Sequence, residues 1–313
     1  MTRIYKSALW IAFAGVLWGL DSIIRVPTET KVSPQTIFFF EFLIGWIFIA
    51  PVAFIKERNN IFRLNGTQWA RLAFLGIVGT TLGNVLFSTA VHNSGVALAT
   101  AVQMTQPLFV AMGAAYFLRE KKYTYFAPLA VLGVLNAVIM SVPSFSFGFS
   151  QLSPDADPTM GVLCSFTAMI FWGASTLFGK SLLNDLPPLV IVFWRWLFAA
   201  VTALVILKIN AVPVDFAELL QAQVLLPVVL LGTVAGSVAM LIYYQGLRNI
   251  PASLATFVEL VYPLTALVIS MLTNPGQTSF LQAFAAVMVV SSIALMLKLE
   301  QDLESKKKGQ VSN

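Results

Sequence analysis

The sequence predicts an all-α polytopic membrane protein, with ten transmembrane helices arranged as two inverted five-helix repeats. Three observations carry this reading. The 313-residue chain is 58% hydrophobic and only 11% charged, against about 25% charged residues in a soluble domain. Apolar stretches near the twenty residues that a spanning helix needs recur along its whole length. Finally, the second half repeats the first. At a shift of 156 positions, Leu75–Leu108 falls on Leu231–Leu264 without a gap, and ten of those 34 pairs are identical. Chance predicts roughly three in so skewed a composition. Upstream the shift is 154: Trp18-Gly19 falls on Trp172-Gly173 and Pro34 on Pro188. A period this long is a duplicated half-protein rather than a solenoid unit, whose repeat is roughly 20 to 50 residues.

The expected spans are 7–25, 35–55, 70–91, 95–118 and 124–142 in the first copy, and 159–179, 188–208, 223–246, 252–272 and 279–298 in the second. The first span follows Arg3 and Lys6, as a signal peptide would. No small-residue cleavage site follows it and the run has full spanning length, so it reads as a retained helix. The third span and its mate carry rows of small residues: Gly76, Gly79, Gly83 and Gly232, Gly236, Ala239. Such rows let helices approach closely. They serve packing within and between chains equally, so they fix no oligomeric state. The fourth span and its mate carry Pro107 and Pro263. The expected division is therefore 1–142 for the first repeat, 143–158 for an outer linker, 159–298 for the second repeat and 299–313 for a cytoplasmic tail.

Charge sets the orientation. With the N-terminus inside, fifteen of the nineteen Lys and Arg fall on inner segments and three (Arg25, Lys31, Lys208) on outer ones. Positive residues collect on the cytoplasmic side, so both termini are expected there, in a multi-pass protein of the cell (inner, cytoplasmic) membrane. Five is an odd number of spans, so the two copies run in opposite directions. The net charge of +5 is thus a topology signal, with no basic folded face to bind nucleic acid. The Lys306–Lys308 run reads as a solvated tail that also feels anionic lipid. One cysteine, Cys164, and one histidine, His92, exclude a disulfide framework and a Cys/His metal cluster. No cofactor is expected.

Ionisable residues inside spans are costly and face a cavity or a partner. Asp21, Glu41, Arg195 and Glu259 stand out, and their places follow the repeat. Glu41 aligns with Arg195, Gln103 with Glu259, and Asp21 with Ser175. Counting about 1.5 Å per residue puts Asp21, Glu41 and Gln103 in the outer third. It puts Arg195 and Glu259 in the inner third, where they are expected to meet as a buried pair. Glu41 would face Gln103 and Asp21, with Arg25 as a partner for the carboxylates. Two neighbouring carboxylates suit proton binding. The bland alternative is an ion pair that only fixes helix register.

Pro107 and Pro263 each remove a backbone hydrogen bond in mid-helix. The freed carbonyl must then find a partner or line a cavity. The preceding turns hold Gln103 and Gln106 in one copy, and Glu259 and Tyr262 in the other. Paired broken turns at mid-membrane point to a binding site. Gln103, Gln106, Glu259 and Tyr262 are therefore the expected substrate contacts, with Trp18 and Trp172 as aromatic lining.

The chain resembles the EamA-type family of the drug/metabolite transporter superfamily over nearly its whole length. The matching residues are Leu17-Trp18-Gly19 and Phe171-Trp172-Gly173. They extend to Ala97–Thr100 leading to Gln106-Pro107, Ser253–Thr256 leading to Tyr262-Pro263, and Leu118-Arg119-Glu120. The resemblance implies export of a small metabolite through a central cavity, lined by helices 1–4 and 6–9 with 5 and 10 peripheral. Two positions depart from it. Glu41 stands where the family commonly has Arg, and Glu120 has no mate, since the second copy reads Asn274-Pro275. Without a P-loop or a nucleotide domain, an ion gradient or the substrate's own gradient must drive a secondary, alternating-access cycle. A lipid-groove flippase or a channel-like permeability pathway is the alternative. An enzyme would need a nucleophile–base pair or metal ligands at membrane depth, which one His and one Cys do not provide.

Overall fold

A computed structural model describes residues 2–121, 124–142, 155–273 and 278–311, without the side chains of Ser22 and 306–311. Most of the expected linker 143–158, the Lys306–Lys308 side chains and Asn274-Pro275 lie outside the described residues. Those described form helices and connecting turns, with no strand among them. We label the helices α1 (Arg3–Glu29), α2 (Pro34–Lys56), α3 (Gly66–Gln103), α4 (Gln106–Phe117) and α5 (Phe126–Ser141), then α6 (Pro158–Leu182), α7 (Pro188–Ile209), α8 (Ala222–Leu247), α9 (Ala252–Thr273) and α10 (Phe280–Val311). Eight are long and apolar enough to cross a membrane: α1, α2, α3, α6, α7, α8, α9 and α10. The α5 helix is apolar but shorter. Large apolar side chains such as Phe13, Ile47, Ile55, Leu163, Val201 and Val287 stay exposed, as a lipid-facing surface requires.

The helix ends have local causes. Ser33 caps α2, accepting from the Thr36 amide, and Pro34 and Pro188 open the aligned helices α2 and α7. Proline suits that first turn, because its missing N–H has no intrahelical partner there. Asn65 and Gln68 form a reciprocal capping box at the start of α3. Asp157 caps α6. Within α3, Gly95 has φ 78° and ψ 157°, a left-handed backbone that glycine takes without steric cost. It splits α3 into a long leg and a short leg, 96–103. Both α3 and α8 contain a π-helical stretch, Ile77–Leu82 and Leu231–Val238; Gly76 and Gly83 flank the first, and Gly232 and Gly236 lie within the second.

The contacts between the halves map onto themselves when the halves are exchanged. The α1 helix packs on α8 and α9, and its mate α6 packs on α3 and α4. The α2 helix meets α7, and α5 meets α10. Individual bonds follow the same exchange. Thr81 Oγ1 donates to the Ala199 carbonyl at 3.0 Å, and its mate Ser237 donates to the Gly45 carbonyl at 2.9 Å. Asn93 Oδ1 accepts from the Asp157 amide, while Asn249 Oδ1 accepts from the Arg3 guanidinium. Trp18 lies 5.3 Å from Tyr243 between ring centroids, and Trp172 lies 5.3 Å from Phe87. Glycine permits the close crossings. A Cβ on Gly76 would sit 2.6 Å from the Arg195 carbonyl oxygen, and one on Gly232 would sit 2.5 Å from that of Glu41.

Candidate functional site

The helix breaks occur where the paired prolines lead the sequence to expect them. The α3 helix ends at Gln103, Met104 and Thr105 turn, and α4 resumes at Gln106 with Pro107 in its first turn. In α9 the helical run stops after Val258 and resumes at Val261, with Glu259 and Leu260 in the turn. A proline in the first turn of the second leg has no amide to satisfy. The break therefore needs no distortion beyond one turn.

The two breaks face each other across the halves. Gln103, Met104, Gln106 and Pro107 from one, and Thr256, Glu259, Leu260 and Tyr262 from the other, line a small cavity of about 40 Å³. Tyr262 closes it by donating to Gln103 Oε1 at 3.0 Å. Glu259 Oε1 accepts from the Tyr243 hydroxyl at 2.5 Å. The space holds a water or two. It is far below the roughly 300–1,000 Å³ of sites for drug-sized ligands. Gln103, Gln106, Glu259 and Tyr262 are thus brought together. Trp18 and Trp172 do not line this cavity but pack on Tyr243 and Phe87. Gly19 and Gly173 beside them admit Thr265 and Phe109 to distances that a Cβ would forbid.

Two expectations are corrected. Gln103 and Glu259 do not lie in opposite thirds, since both line one cavity. Each ends a short leg, 96–103 or Ala252–Val258, which descends only roughly 10–12 Å at helical rise. Counting residues through a broken helix overstates depth. Nor do Arg195 and Glu259 form an ion pair. Arg195 Nε donates to Thr80 Oγ1 at 2.8 Å, and Nη1 donates to the Tyr244 hydroxyl at 2.9 Å. Glu259 turns instead to Tyr243. The side chain of Arg195 is satisfied by neutral hydroxyls, with the residue only 8% exposed.

The second polar centre belongs to α1 and α2. Arg25 Nε and Nη2 hold Asp21 bidentately at 2.8 and 2.9 Å. Nη2 also reaches Glu41 Oε2 at 2.8 Å. The guanidinium lies over the Phe38 ring, 5.4 Å from its centroid. Glu41 does not touch Gln103, which is engaged by Tyr262. The asymmetry with Arg195 has a local reason: the positions exchanged for its partners Thr80 and Tyr244 are Gly236 and Ser88. A glycine and a serine cannot reproduce that hydroxyl pair, so Glu41 is served by Arg25. Ser175, the mate of Asp21, is buried, and among the described residues its hydroxyl has no hydrogen-bond partner.

Sequence reasoning missed a third feature. Glu120 caps the start of α9, taking the Ala252 amide on Oε1 at 2.6 Å and the Ser253 hydroxyl on Oε2 at 2.7 Å. Lys180 Nζ donates to the carbonyls of Leu247, Arg248 and Ile250 at 2.8, 3.2 and 2.8 Å. Two side chains of opposite charge thus hold the single turn between α8 and α9. The missing mate of Glu120 was the available signal: a charged residue closing one copy only.

Many apolar spans, a duplicated helical set and a polar site at the junction of the two halves define a membrane transporter architecture. The comparisons agree. The model of the EamA-like transporter family matches residues 5–142 and 159–298, and the chain belongs to that family. It is 27% identical over 297 residues to the riboflavin transporter ImpX of Fusobacterium nucleatum, covering 94% of this chain and 98% of that one. A riboflavin transporter of Rhizobium johnstonii is 24% identical, covering 62% of this chain and 60% of its own. An uncharacterized transporter of Bacillus subtilis, YwfM, is 23% identical over 83% of this chain and 82% of its own. A solved crystal structure of a protein superposes with a TM-score of 0.77 at 19% identity, covering 96% of this chain and 99% of that one. It supports the fold alone.

Proposed function

We propose that this protein is a secondary transporter of a small, flat, polar metabolite of the riboflavin kind, working by alternating access between two inverted five-helix repeats. The repeats are 1–142 and 159–298, with ten spans and with both termini in the cytoplasm of a cell whose inner membrane holds the chain. The break at Gly95 supports ten spans, since it lets α3 supply the third span and begin the fourth. The observation that carries the reading is the cavity between the paired helix breaks, to which both halves contribute amides, a carboxylate and a phenol. Gln103 and Gln106 can donate to and accept from the edges of a heterocycle or a hydroxylated chain. Tyr262 offers a face for stacking. The riboflavin transporters among the relatives support that substrate class.

At about 40 Å³ the cavity is closed to any such molecule. Entry therefore requires the halves to part, and breaking the Tyr262–Gln103 bond is the first step of that parting. Direction follows the driving gradient, and export is the direction the family resemblance implies. Glu41 or Asp21 carries a coupling proton, and Glu259 answers to substrate.

The test is transport of labelled riboflavin by the purified chain in proteoliposomes, in uptake and counterflow modes. Gln103→Ala and Tyr262→Ala should raise the KM for transport. Unchanged kinetics in both variants would overturn the site. If Glu259→Gln and Glu41→Gln both leave transport and its pH dependence as they were, the roles proposed for these two carboxylates are wrong.

A further inference from the structure

A cavity larger than that between the helix breaks lies elsewhere. It measures about 560 Å³ and opens at the end of the bundle where the N-terminal turn meets the C-terminal part of α10. Five cations line it: Arg3, Arg119, Lys121, Lys180 and Arg248. They come from four separate stretches of chain, with Arg119 and Lys121 on the same one. Three carboxylates, Glu120, Glu300 and Glu304, share the lining, so the formal charges leave an excess of two positive.

The floor of this space is fixed. Glu120 has both oxygens engaged by the start of α9, and Lys180 has its three N–H groups directed at three carbonyls. The rim is different. Arg119 and Arg248 are exposed, and among the described residues neither guanidinium is in an ion pair. Arg119 is held in place by its backbone. It has φ 54°, and the amides of Leu118 and Glu120 both return to the Ala114 carbonyl. That is a helix-ending turn which glycine usually occupies, filled here by arginine. Positive residues at one end of a membrane protein are expected from topology alone. Topology does not gather them round a concave space with a fixed floor.

We propose that this cavity binds a phosphate group, doubly charged or diphosphate, with Arg119 and Arg248 as its forked donors. Guanidinium matches phosphate geometry bidentately. The excess of two positive charges suits a phosphate monoester or a diphosphate better than a single carboxylate. The volume exceeds one phosphate several times over, which leaves room for a body beyond the anionic group. That body is either a soluble phosphate ester or the glycerol backbone of an anionic lipid. Tyr116 and Phe117, just before Arg119, are 80% and 72% exposed and give acyl chains an apolar surface to lie on.

The test uses the full-length chain in nanodiscs, with thermal unfolding as readout. One arm titrates pyrophosphate into neutral phosphatidylcholine discs, against sodium chloride at matched ionic strength. The other replaces phosphatidylcholine stepwise with phosphatidylglycerol. A saturable rise in melting temperature in the first arm identifies a soluble phosphate, and in the second a lipid headgroup. In either case Arg119→Gly combined with Arg248→Gln should weaken the response at least about tenfold, the loss expected for a charged hydrogen-bond donor. Arg119→Gly also relieves the left-handed backbone, so its effect is separable from misfolding. A response no larger than that of chloride in both arms overturns the proposal. So does a response that the double variant retains in full.

Discussion

Replacing Glu120 by alanine should loosen the junction of the two halves. Its carboxylate is the cap of α9, because Pro251 at the N-cap position offers no side-chain oxygen. Ala252 and Ser253 are 0% and 1% exposed, so water cannot readily replace the lost acceptor. The substitution removes the acceptor that serves two amides and a hydroxyl. Each buried donor left unmade costs about 1–3 kcal/mol, and loss of a helix cap typically costs about 1 kcal/mol. The Ser253 amide bond is long, at 3.3 Å, and the serine hydroxyl can turn to another acceptor. The low end therefore applies, about 2–4 kcal/mol in total. That corresponds to a fall on the order of 5–10 °C in melting temperature, measured by tryptophan fluorescence on the purified protein in detergent. Glu120→Gln keeps one acceptor oxygen and should recover part of the loss. A Glu120→Ala protein that melts with the parent would refute the claim that this carboxylate holds α9 to the first half.

Gly232→Ala and Gly76→Ala should each impair folding or transport, since the added methyl meets a backbone carbonyl at 2.5 or 2.6 Å and overpacking costs about 1–3 kcal/mol. Yield of monodisperse protein reads this directly, and full yield with full transport would show that the crossings are slack. Arg25→Met should destabilise more than Glu41→Gln, by about 3–5 kcal/mol, because it leaves two carboxylates facing each other without their shared cation. Adding Glu41→Gln to Arg25→Met should restore stability, and a double variant no better than Arg25→Met would dismiss the coupling. Arg195→Lys should lose transport while preserving charge, since an ammonium cannot reach Thr80 and Tyr244 in the geometry of a planar fork. Transport at the parental rate would show that charge alone matters there.

Much of the architecture is legible in the residues. The duplication, the apolar spans and the paired prolines are periodic or local signals, and each has a direct structural counterpart here. The contact between Asp21 and Arg25 is readable from their i,i+4 spacing. The Arg195 partners are not. Distance along a helix gives height but not azimuth, and a hydroxyl of Thr or Tyr carries no signature of the cation it will meet. The π-helical stretches at Ile77–Leu82 and Leu231–Val238 have no sequence rule to announce them, although they fall where the glycines are doubled. The merging of Gln103 and Glu259 into one cavity escaped depth counting because the count ran through breaks that shorten each leg.

The bonds from Thr81 to Ala199 and from Ser237 to Gly45 are isologous, as are those of Asn93 and Asn249. They are the contacts of a two-fold dimer written within one chain. In a dimer of identical subunits every substitution acts twice, and an acidic residue at the position of Glu41 would bring a second at the position of Arg195. Fusion removes that constraint. Each of the two sites related by the axis becomes free to take its own charge, provided the hydroxyl-to-carbonyl pins that register the halves are kept. The interface residues conserve the axis, and the residues between them are released from it.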